Sequence, residues 1–127
     1  MYKDRSEISD WLDGLLSIAS MNGIAAAAFL LYEDGEGAYS MELVGTSRFD
    51  PEDDDWACDE VANFGTRDNP LTWKADKSWE EVQRSVADEL RQYLKDGKRA
   101  DVLRQLEGVA VGFADGDLEI LRGKETA

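Results

Sequence analysis

Ile24-Ala25-Ala26-Ala27-Ala28-Phe29-Leu30-Leu31-Tyr32 is the longest apolar run in the chain, and whether it forms helix or strand decides the fold. Periodicity alone does not separate the two, and the four alanines favour helix. The surroundings favour strand. The run starts directly after a helix stop at Asn22-Gly23 and ends at the turn-forming Glu33-Asp34-Gly35-Glu36-Gly37. Beyond that turn, Tyr39, Met41 and Leu43 alternate with Ser40 and Glu42 up to Val44, the period of a half-buried strand. The two runs are expected to form a hairpin.

Upstream, Ile8, Trp11, Leu12, Leu15, Leu16 and Ala19 recur at helical spacing, with Asp10, Asp13 and Ser17 between them. Ser6 is the expected N-cap, and Gly23 the expected left-handed stop. Downstream, Ser78 and Glu81 have the spacing of a capping box, in which hydroxyl and carboxylate each accept from the other residue's backbone N–H. Trp79, Val82, Val86, Leu90, Tyr93 and Leu94 then line one face until Gly97, and a shorter helix is expected over Ala100 to Leu106. Trp11 and Trp79 both read as core on this pattern. Asp115-Gly116 has the chemistry of a two-residue type I′ turn. Pairing outward from it sets Phe113 opposite Leu118 and Val111 opposite Ile120, all on one face with Val109. The expected fold is α+β: an antiparallel sheet built from two hairpins, with two main helices packed on one face.

The 127 residues form one expected domain, 1–127, large enough to bury roughly two-thirds of its unfolded surface. No apolar run is long enough to span a membrane, and the opening Met-Tyr-Lys-Asp-Arg-Ser-Glu lacks the apolar segment of a signal peptide. A single cysteine forms no internal disulfide, so a cytoplasmic protein is expected.

Charge is the strongest compositional feature. The chain carries 28 acidic and 14 basic residues, a net of −14. Residues 1–64 hold 15 acids against 3 bases, so almost the whole negative field arises in the first half. Such a field repels nucleic acid and anionic membrane and speeds encounter with basic proteins.

The field is densest from Asp50 to Glu60, where seven of eleven residues are acidic and none is basic. Phe49, Trp56, Cys58, Val61 and Phe64 interrupt or flank the run. A disordered acidic tail would not carry a Trp, and this run lies mid-chain, so the reading is a surface loop pinned by its aromatics. Its carboxylates then face outward as a docking surface, although a solubilising loop whose Trp fills the core edge has the same pattern. Asp50, Glu52, Asp53, Asp54, Asp55, Trp56, Asp59 and Glu60 are the candidate contact residues, with Arg67 and Trp73 nearby. Trp and Arg are the residue types enriched at interface hot spots.

Catalytic patterns are mostly excluded. Without histidine there is no Ser-His-Asp or Cys-His chemistry, no imidazole acid–base catalysis and no His-containing zinc site. Cys58 sits among carboxylates, which disfavour its thiolate, and reads as a small apolar residue. The acidic run fails the EF-hand pattern: counted from Asp50, position 6 is Asp55 and position 12 is Val61. Gly35-Glu36-Gly37 lacks the lysine and further glycine of a phosphate loop. No cofactor and no metal site is expected.

The chain resembles the small, acidic α+β immunity proteins of bacterial contact-dependent and polymorphic toxin systems. The likeness rests on its size, the absent signal, the negative charge and the run Asp53-Asp54-Asp55-Trp56-Ala57-Cys58-Asp59-Glu60. It implies an inhibitor, without catalytic residues, that binds and neutralises a basic cognate toxin, often a nuclease, in the cytoplasm. The alternative is a small enzyme or ligand-binding domain with a carboxylate-lined cleft.

Overall fold

The deciding run is strand. In the computed structural model, which describes residues 5–18, 23–50, 52, 56, 71–113, 116 and 118–123, β1 spans Ala26–Gly35. Its residues are buried alternately on both sides of the sheet: Ala27, Phe29 and Leu31 in one core, Ala26 and Ala28 in another. A strand covered on both faces needs a near-continuous apolar sequence, which is why periodicity could not identify it.

The remaining elements are α1 (Arg5–Ile18), β2 (Ala38–Thr46), β3 (Leu71–Lys74), α2 (Trp79–Asp96), α3 (Ala100–Arg104), β4 (Gly108–Phe113) and β5 (Glu119–Gly123). The five strands are ordered β3-β2-β1-β4-β5. β1 pairs antiparallel with β2, Phe29 opposite Leu43, and parallel with β4, Phe29 opposite Val111. The sheet is therefore mixed, which corrects the expected all-antiparallel sheet. Parallel neighbours need a crossover, and α2 and α3, lying between β3 and β4 in the chain, supply it.

All three helices contribute to the core on one side of the sheet. Ile8, Leu12 and Leu16 of α1, Val82, Val86, Leu90 and Tyr93 of α2 and Leu103 of α3 join Phe29, Met41, Leu43, Val109 and Val111. The capping box forms as the spacing predicts, with Ser78 accepting from the Glu81 N–H and Glu81 from the Ser78 N–H, and Gly97 caps the other end. Tyr93 ties the helices together: its hydroxyl donates to Asp13 Oδ1 at 2.7 Å and accepts the Arg99 N–H at 3.1 Å. Burial, reinforced by the Asp13 carboxylate, raises its pKa.

Two boundaries differ from expectation. α1 already includes Arg5, which puts Ser6 inside the helix instead of at its cap. Gly23 does adopt the left-handed conformation, at φ +77°, but α1 has ended at Ile18. Ala19 and Asn22 lie outside the described residues.

The β4–β5 register is a larger correction. The strands pair antiparallel, but Val111 faces Glu119 and Ala110 faces Ile120, with an irregularity between Val109 and Ala110. A slip of one residue moves every side chain to the other face. Leu118 and Ile120 consequently pack with Ala26 and Ala28, whereas Val111 and Phe113 remain on the helix side. The expected shared face is wrong because the far side of the sheet has its own apolar cluster to receive Leu118 and Ile120. Asp115 lies outside the described residues, and with it the turn type.

No helix among the described residues is long and apolar enough to cross a membrane.

Candidate interaction surface

On the face of the sheet turned away from the helices, the first halves of β1 and β4 carry small residues. Ala26 and Ala28 on β1 lie beside Gly108 and Ala110 on β4, pair for pair. This leaves a shallow trough that large side chains from elsewhere can fill.

Thr46 starts the segment that fills it. Its buried hydroxyl donates to the Arg48 carbonyl at 2.8 Å, fixing the path of the chain as it leaves β2. Phe49 then lies across Gly108 so closely that a Cβ there would collide with its ring. Trp56 packs edge to face on Phe49 and is 0% exposed, clustered with Ala26, Ala28, Val44 and Ala110. No described residue accepts a hydrogen bond from its Nε1–H. Between the two rings, Asp50 is half-buried and its Oδ1 accepts the Glu52 N–H at 3.0 Å, an Asx turn. Glu52 is exposed.

The acidic segment is thus held on the sheet at Phe49 and Trp56. The indole expected as a contact anchor is instead a buried anchor within this chain. Trp73 also differs from expectation: it is 5% exposed and stacks on Tyr39 in the helix-side core, so the sheet separates it from Trp56. Asp53, Asp54, Asp55, Asp59, Glu60, Arg67 and Cys58 lie outside the described residues. Sequence reading overlooked Phe49's partner, Gly108. The visible signal was the set of alanines and glycines at alternating positions of two apolar strands.

On the helix side, α2 and β5 flank an open cleft of about 310 Å³. Trp79, Gln83 and Ala87 line it along one row of α2, Glu80 and Arg84 along the next, with Arg91 and Glu119 closing one end. Arg91 is paired with Glu119 across the cleft and with Asp88 at 3.7 Å on its own helix. The cleft is therefore mixed in charge, not carboxylate-lined. Trp79, read from the sequence as core, is 51% exposed. It is the first residue of α2, and Phe113 covers it in part.

One further titratable group stands out. Glu89 on α2 is only 8% exposed, neither carboxylate oxygen has a hydrogen-bond partner among the described residues, and burial pushes its pKa up to about 7. It lies two residues from Arg91, hence on the opposite flank of the helix from the cleft.

No protein-family model, curated protein or solved structure matches the chain.

Proposed function

We propose that this chain is an immunity-type inhibitor that binds and neutralises a basic toxin domain, of nuclease type, in the cytoplasm. The contact surface is the acidic segment from Asp50 to Glu60. The observation that supports this reading is the density of carboxylates from Asp50 to Glu60, seven of eleven residues with no base among them, on a segment tied to the sheet at Trp56. The indole packs on the sheet, braced by Phe49. The net charge of −14 steers a basic partner towards that surface.

In this reading the partner meets the carboxylates, and Trp56 is an internal anchor, not a contact residue. The test is to express the chain with the reading frame beside it that encodes a basic, toxin-like domain. Copurification of a stoichiometric complex, with loss of the toxin's activity, is the expected result. A neighbourhood of metabolic genes, with no binding to any basic domain, would favour a ligand-binding domain instead.

A further inference from the structure

We propose that the cleft between α2 and β5 docks a peptide segment of a protein partner. The segment lays one bulky apolar side chain on Trp79 and places an adjacent carboxylate on Arg84.

Trp79 is the only large apolar residue among the described residues that is mostly exposed. It is not a loose side chain. The capping box at Ser78 and Glu81 fixes the backbone at the start of α2, and Phe113 meets the indole at 81° with ring centroids 5.8 Å apart. A fixed and half-exposed indole is the kind of surface that a partner's apolar side chain covers with little loss of freedom. Ala87, two turns further along the same row of the helix, contributes only a methyl group to the lining.

The two guanidinium groups of the cleft differ. Arg91 is neutralised by Glu119 and Asp88. Arg84 makes no ion pair with any described residue, not even with Glu80 one turn earlier on the same helix. An unpaired guanidinium next to an apolar platform selects a carboxylate, which it can hold through two parallel hydrogen bonds. The volume, about 310 Å³ and open to solvent, suits one or two side chains, being at the bottom of the range for small-molecule pockets of roughly 300–1,000 Å³. A second copy of this chain is a poor occupant, since two molecules of charge −14 repel. The cleft lies on the helix side of the sheet, away from Phe49 and Trp56, so it does not depend on the inhibitor reading.

A random heptapeptide display library, panned on the folded protein, tests this. Selected peptides should share an aromatic, Leu or Met residue within two positions of Asp or Glu. Trp79→Ala should weaken the best synthetic peptide by about tenfold or more. Arg84→Glu should reverse the preference from acidic to basic flanking residues. Both side chains are exposed, so thermal melts of the variants should stay close to wild type, and Arg84→Glu alone suffices if Trp79→Ala unfolds. The proposal is overturned if no peptide is enriched, or if those enriched bind both variants as well as wild type. Purely basic peptides insensitive to Trp79→Ala would also overturn it, and would report on the acidic segment instead.

Discussion

Phe49 and Trp56 meet edge to face, with ring centroids 5.0 Å apart and planes at 70°, on the side of the sheet opposite the helices. Aromatic pairs prefer this offset geometry. Here it joins the first residues after β2 to the middle of an acidic segment that would otherwise repel itself into solution. The small residues beneath the rings make the contact possible, and Gly108 most of all.

Trp56→Ala should therefore act on stability. Emptying a fully buried indole site costs about 3–5 kcal/mol, read as a lower urea midpoint. Gly108→Ala should cost roughly 1–3 kcal/mol by overpacking against Phe49. In the double variant with Phe49→Ala the loss should be smaller than the sum of the single losses, because the collision is gone. Additive losses would show that the ring does not lie across Gly108.

The capping box gives a local prediction. Ser78→Ala should destabilise by about 1 kcal/mol, and Ser78→Asp should largely restore the loss, since Asp is a comparable N-cap. Thermal melts of the three proteins check this; equal melting temperatures would mean that the box contributes nothing.

This was the part of the fold most legible in the sequence, because a cap depends on residues three apart. The same holds for the alternation in β2. Legibility fell where a residue's fate depends on distant partners. Leu118 and Ile120 form as good an apolar face as the sequence offered to Val111 and Phe113, but Glu119 pairs with Arg91 and takes the helix side. Trp79 has an apolar-face position in the helical pattern yet, as the first residue of α2, is half exposed. Trp56 looked like a surface anchor because seven acids surround it, while its real partners, Ala26, Ala28 and Ala110, lie at least 28 residues away in the chain.

Glu89 predicts an unusual pH dependence. A folded-state pKa raised from 4.5 to about 7 means that the native protein holds this proton where the unfolded chain has released it. The stability associated with the protonated carboxyl is fully present below pH 4.5 and is lost as pH rises to about 7. Glu89→Leu should remove that slope and stabilise the protein near pH 8 by roughly 1–3 kcal/mol, the cost of an unpaired buried polar group. Urea titrations of both proteins across this range provide the check; parallel curves would show that Glu89 is hydrated or paired.

The central claim is that the acidic segment attracts a basic partner, and association kinetics test it most directly. Long-range charge acts chiefly on the association rate, whereas short-range contacts act chiefly on dissociation. Asp53, Asp54 and Asp55 should be replaced together by Asn, and association with the basic toxin domain followed by stopped flow at low and at high salt. The account predicts slower association at low salt, a flatter salt dependence and an unchanged thermal melt. An association rate equal to wild type at both salt concentrations would contradict it and remove the segment from the function.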